Sequence, residues 1–130
     1  MVTDSTLLRS ASRKLTHSGI DAYNLTRITL FWGKQGLVGI ESEGHSGYKD
    51  KGEDIVCAAV SSLLHALLLG LQDVAMLEDM ECAVDASVPL IRLKWSEDKA
   101  LHLDLLTRTV ALSLKKIASG YAGYVRIAEV

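Results

Sequence analysis

The sequence predicts a single α+β domain, a two-layer sandwich in which an antiparallel or mixed sheet carries two helices on one face in the order ββαββαβ. Three observations predict it. The chain has 130 residues and 48% of them are hydrophobic, enough for one core and too few residues for two ordinary domains. Five short runs of strand formers alternate with two long helical patterns, and a ββα unit occurs twice without a finer internal repeat. Turn residues stand between the runs where hairpins need them.

The elements follow in order. Residues 1–26 form an N-terminal extension in which Leu7, Ala11 and Leu15 recur at i, i+4, i+8, a weak helical stripe that Asp4 or Ser5 can cap and Gly19 can end. A short surface helix or a frayed tail is the plainer reading of it, and a docking arm the sharper one. The domain proper is expected over residues 27–130. Arg27 to Trp32 is rich in strand formers, Gly33-Lys34-Gln35-Gly36 supplies a turn, and Leu37 to Glu43 completes a hairpin. In that second strand Leu37, Gly39 and Glu41 should share one face, and Val38, Ile40 and Ser42 the other. A polar loop with three glycines, Gly44 to Glu53, leads to Asp54, a good N-cap for a helix from Ile55 to about Gln72. That helix is apolar nearly all round and should be buried on most sides, by the sheet and by a partner subunit. Glu81 to Asp85 and Leu90 to Trp95 read as two strands. Ser96 should cap a second long helix with Glu97 and Asp98 in its first turn, Lys115 and Lys116 in its last, and Gly120 at its end. Tyr124 to Glu129 alternates like a final strand.

Composition excludes several functions. A net charge of −2 with scattered basic residues does not suit a protein that holds nucleic acid through a basic patch, so no direct nucleic-acid partner is expected. Two cysteines, far apart and without a CxxC pair, give neither a disulfide framework nor a zinc site, and no metal or cofactor is expected. No apolar signal segment opens the chain, which makes a reducing cytoplasm the default location. Ile55 to Gln72 carries no formal charge over 18 residues but holds Ser61, Ser62, His65, Gly70 and Gln72. A span needs roughly 20 predominantly apolar residues, so this stretch is read as a core helix and no membrane partner is expected.

The residues with chemistry cluster around the glycine loop. Cys57 falls three positions after the proposed cap, in the first turn of a helix, where free N–H groups and the dipole favour a thiolate. Its bland reading is a small buried hydrophobe, the stronger of the two on composition alone. His45 lies in a polar loop flanked by Gly44 and Gly47, and the 11 residues between it and Cys57 let it reach the helix start. A Cys–His pair supplies nucleophile and base for acyl transfer, while an exposed loop histidine is the plainer alternative. Asp54 can cap the helix or orient His45. Ser61 shares the Cys57 face at i+4, where it can act beside the thiol or bond back to its own helix. His65, two turns on and about 12 Å from Cys57 by helix rise, reads as structural. Cys82 alternates onto a strand and reads as core. The loop is not a phosphate loop, for no Gly-Lys-Ser/Thr follows.

The stretch Gly44-His45-Ser46-Gly47-Tyr48, continued through Gly52-Glu53-Asp54-Ile55-Val56-Cys57-Ala58-Ala59-Val60-Ser61, closely resembles the signature of the ribosomal-processing cysteine protease Prp family. The resemblance implies a small bacterial enzyme that removes a short N-terminal extension from a large-subunit ribosomal protein, cutting after an apolar or aromatic motif. It implies an α+β homodimer with a flexible loop over its active site. By position His45 matches the catalytic histidine and Cys57 the nucleophile, Asp54 and Ser61 match positions that support the site, and Gly44 matches the glycine before the histidine. Ser46 and Lys49 stand where the family commonly has alanine. Residues 1–26 have no counterpart in the usual family start. Two rivals stand beside the protease: a non-catalytic ribosome-assembly factor that binds the same peptide, and a thiol-dependent hydrolase or acyltransferase with another substrate.

Overall fold

The computed structural model describes residues 25–44, 55–85 and 90–130. Strands β1 (Thr26–Trp32) and β2 (Leu37–Glu43) form the first hairpin, and helix α1 (Ile55–Leu69) runs on into a π-helical turn, Gly70–Val74. Strands β3 (Glu81–Asp85) and β4 (Leu90–Lys94) follow, then a one-turn helix α2 (Glu97–Ala100), helix α3 (Asp104–Gly120) and strand β5 (Val125–Glu129). The five strands lie in the order β3-β4-β2-β1-β5. β5 is parallel to β1 and the other pairs are antiparallel, so the sheet is mixed. The expected order ββαββαβ is present, with the second helix in two pieces.

Alternation sorts the strands into two faces. Ile28, Leu30, Ile40 and Leu93 point into the core, where they meet Val56, Val60, Leu64 and Leu67 of α1, Leu71 of the π turn, and Val110, Ala111 and Leu114 of α3. Burying each such Leu or Ile contributes on the order of 1.5–3 kcal/mol. The opposite face is polar. There Arg92 Nε and Nη2 both donate at 3.3 Å to the Glu41 carboxylate, and Lys94 sits 4.6 Å from the centre of the Phe31 ring.

The hairpin departs from strict alternation at one point. Phe31 pairs with Gly39 but Trp32 pairs with Leu37, which leaves Val38 as an extra residue in β2. That bulge turns Leu37 back toward the core, where it is fully buried, instead of leaving it on the face of Glu41. Trp95 uses the distortion: its backbone N–H donates to the Val38 carbonyl at 3.0 Å and its indole N–H to the Leu37 carbonyl at 2.8 Å.

Both helices differ from expectation. Helix α1 is not covered on most sides. Its buried residues form a single stripe at spacings of three and four, and only 28% of the apolar window over Ile55–Val74 is buried. Ile55 and Leu69 are more than half exposed. The reason is geometric: one sheet layer and one flanking helix cover one stripe of a cylinder. By length and composition this stretch could also cross a membrane. At Gly70, in the π turn, a Cβ would lie 2.8 Å from a Leu106 methyl carbon, so the Leu106 side chain of α3 packs directly on the backbone there. The second helix breaks at Leu101–Leu103, between α2 and α3. Its acids serve the tertiary fold. Ser96, in an extended conformation, donates its hydroxyl to Asp98 and makes no side-chain cap bond. Glu97 accepts the backbone N–H groups of Lys34 and Gln35 and so clamps the β1–β2 turn. Lys115 pairs with Glu129 at 3.0 Å.

Leu25 is buried and the Thr26 N–H donates to the Tyr124 carbonyl, so ordered structure is present two residues before Arg27. Residues 1–24 of the expected extension lie outside the described residues.

Candidate active site

Two chain segments meet where β2 ends and α1 begins. Gly44 closes β2 with φ at +92°, a conformation that side chains disfavour, and a Cβ there would lie 2.6 Å from the Leu25 carbonyl oxygen. Glycine is therefore the residue that lets the chain leave β2 across the start of β1. Cys57 is the third residue of α1, in the first turn, as the spacing from Asp54 predicts. No carboxylate stands in that turn, where the helix dipole favours a thiolate.

Gly44 and Cys57 line one cleft of about 290 Å³. Its roof is one face of α1, where Cys57, Val60, Ser61, Leu64 and His65 follow each other at helical spacing. Its floor is the end of the sheet: Thr26 of β1, Ser42 of β2, Leu90 and Ile91 of β4, and Val84 and Asp85 of β3. The mouth lies at edge strand β3, all five of whose residues are exposed. Cys57 is half-buried and is not in a disulfide. Ser61 therefore sits in the same cleft as the thiol, as its i+4 spacing requires.

His65 bonds back to Ser61 of its own helix, in keeping with a structural role. Its Nδ1 is 2.8 Å from the Ser61 carbonyl oxygen and 3.3 Å from the Ser61 hydroxyl. The ring is exposed and lines the cleft. Cys82, by contrast with expectation, is not core: it lies exposed on β3, because α1 does not extend over that edge. The structure thus brings together Cys57, Ser61 and Gly44. His45 and Asp54, with Ser46 and Lys49, lie outside the described residues. Sequence reasoning missed Thr26, Ser42, Val84 and Ile91. A signal for two of them was present, since Thr26 and Ser42 are hydroxyl residues at inward positions of otherwise apolar strands.

Comparison with known proteins gives the family and the fold. The family described as cysteine protease Prp matches residues 25–126. No curated protein matches the chain. Among solved structures, the ribosomal processing protease Prp from S. aureus in complex with a covalently linked product peptide superposes with a TM-score of 0.73 at 18% identity, over 82% of this chain and 100% of that one. The same S. aureus protease with a substrate peptide gives 0.69 at 17% identity, with the same coverage. SMU.848 from Streptococcus mutans gives 0.64 at 23% identity, over 82% of this chain and 97% of that one. At these identities the structures speak for the fold, and the match over residues 25–126 speaks for the family: this chain belongs to the cysteine protease Prp family.

Proposed function

We propose that this protein is a cytoplasmic bacterial cysteine endopeptidase that removes the N-terminal extension of a large-subunit ribosomal protein, with Cys57 as nucleophile and His45 as general base. The observation that carries the proposal is the placement of Cys57 in the first turn of α1, on the roof of a cleft that Gly44 also lines. His45 follows Gly44 directly in the sequence. Family membership supports the chemistry, and the peptide complexes of the S. aureus relative support the substrate class.

The residues act as follows. The Cys57 thiolate attacks the scissile carbonyl, and the C–S bond forms as the carbonyl π electrons move onto oxygen. Backbone N–H groups at the start of α1 stabilise that oxyanion. His45, protonated, gives its proton to the departing amine as the C–N bond breaks, and a thioester to the N-terminal fragment remains on Cys57. His45 then takes a proton from water, whose oxygen displaces the thiolate. Asp54 has one of two supporting roles, capping the helix or steadying the imidazolium, and Ser61 stands beside the thiol on the same helix face. The exposed apolar side chains of Ile55, Leu69 and Val74 on α1 and its π turn suit the interface of a homodimer.

The test is direct. The protein is incubated with the large-subunit ribosomal protein of the same organism that carries an N-terminal extension, and the product is weighed by mass spectrometry. A shortened product with wild type, and none with His45→Ala, is expected. Tight binding of the extension with no cleavage would sink the protease and favour the non-catalytic assembly factor.

A further inference from the structure

Leu25 and Thr26 stand beside the cleft. Thr26 lines it, and the Leu25 carbonyl oxygen packs against Gly44, another lining residue. The family match starts at residue 25, and the S. aureus protease is matched over its full length by 82% of this chain. Residues 1–24 therefore precede the matched domain and join it at the end of the cleft away from β3. From β1 through β2 and β4 to β3 the lining strands span three strand spacings, or about 14 Å. About five extended residues cover that distance at about 3.3 Å each. The residues just before Leu25 are Ile20, Asp21, Ala22, Tyr23 and Asn24, a stretch with apolar and aromatic side chains. The cleft has walls of matching chemistry: Val60, Leu64, Leu90 and Ile91 are apolar, and Ser42 and Ser61 add hydroxyl residues.

We propose that residues 20–23 of this chain occupy its own cleft and cover Cys57, so that a substrate has to displace them. The tether makes a weak contact sufficient. A segment joined this closely to its site is held at an effective concentration on the order of 1 mM. An intrinsic dissociation constant of about 0.1 mM then keeps the cleft about nine-tenths covered. A separate partner of the same affinity would have to be present at a similar millimolar concentration to do as much. The inference regulates the site proposed above and rests on that reading of the cleft.

The test reads the thiols of the full chain without substrate. Wild type and the double variant Ile20→Asp/Tyr23→Asp are alkylated with iodoacetamide and mapped by mass spectrometry, with the exposed Cys82 as internal control. Cys57 should react about tenfold faster in the variant, and Cys82 at the same rate in both. Tyr23→Ser should move Cys57 in the same direction, and it replaces the double variant if that does not fold. On a short peptide that the variant cuts, kcat/KM should also rise about tenfold with kcat unchanged, because the segment competes with substrate. Equal Cys57 rates in wild type and variants overturn the proposal. So does a difference that disappears on dilution of the protein, which would put the segment of a second copy in the cleft. Faster labelling of Cys57 with no peptide cut leaves the cover standing and sinks the proteolytic reading.

Discussion

The two edges of the sheet are built for different purposes. At the β5 edge the strand is tied down. Val125 is buried, the Trp32 indole donates to Glu129 at 2.8 Å, Lys115 of α3 pairs with the same carboxylate, and backbone bonds join Val130 to Leu30 and to Trp32. At the β3 edge every residue is exposed, Val84 by 53%, and the space between that strand and α1 is the cleft that holds Cys57. One side of the sheet is closed with paired charges and the other is left open. Of the apolar side chains that line the cleft there, Val60 and Leu64 are buried, Leu90 and Ile91 are partly buried, and Val84 is exposed. The two edges thus differ in what covers them: paired side chains hold β5, and β3 is left bare.

The difference can be broken on the open side first. Gly44→Ala carries the largest expected effect on folding. It forces a side chain into a positive-φ conformation and against the Leu25 carbonyl, and should cost about 2–3 kcal/mol by denaturant unfolding as well as cleavage activity. Retention of full stability would mean that β2 ends differently. Val84→Asp should do the reverse. It places a charge on an exposed wall of the cleft, so unfolding should shift by no more than about 0.5 kcal/mol. Its kcat/KM should fall about tenfold, a loss worth about 1.4 kcal/mol. Equal kcat/KM would take β3 out of the substrate's path.

The smallest effect belongs to the closed edge. The bonds from Lys115 and then Trp32 hold the Glu129 carboxyl below the ordinary carboxylate range. A carboxylate whose folded pKa is depressed stabilises the fold above its unfolded pKa, and that stabilisation is lost as the pH falls through the folded value. The pair is largely exposed, so solvent screens it. Glu129→Gln should therefore cost under about 1 kcal/mol at neutral pH, and the difference should vanish in acid below the ordinary carboxylate range. Its cleavage rate should match wild type. A cost that persists in acid would point to the Trp32 contact, not the charge.

Much of this was legible in the sequence because it depends on local pattern. The five strands, the order ββαββαβ and the start of α1 follow from alternation, turn residues and helical spacing, and the position of Cys57 follows from the helix start. What was not legible depends on tertiary contact. The bulge at Val38 leaves no mark in a run that alternates acceptably either way, yet it decides that Leu37 is core. The break at Leu101–Leu103 lies inside a continuous helical pattern, and Glu97 and Lys115 satisfy helix-dipole preferences while bonding to distant partners. Cys82 satisfies the alternation rule, but alternation names a face and cannot say whether anything covers it. The cleft was half legible. Its roof follows from i, i+4, i+8 spacing on α1, whereas its floor is drawn from four strands whose adjacency only the sheet order reveals.

Cys57 and Cys82 are both thiols on the open side of the molecule, one in the first turn of α1 and one on the exposed edge strand. The most direct measurement distinguishes them: the reaction with substrate is quenched in acid within the first turnover, and the protein is digested and mapped by mass spectrometry. The N-terminal fragment of the substrate should be found as a thioester on Cys57, with Cys82 unmodified, and Cys57→Ala should yield neither adduct nor product. An adduct on Cys82, or product from Cys57→Ala at the wild-type rate, would contradict the assignment.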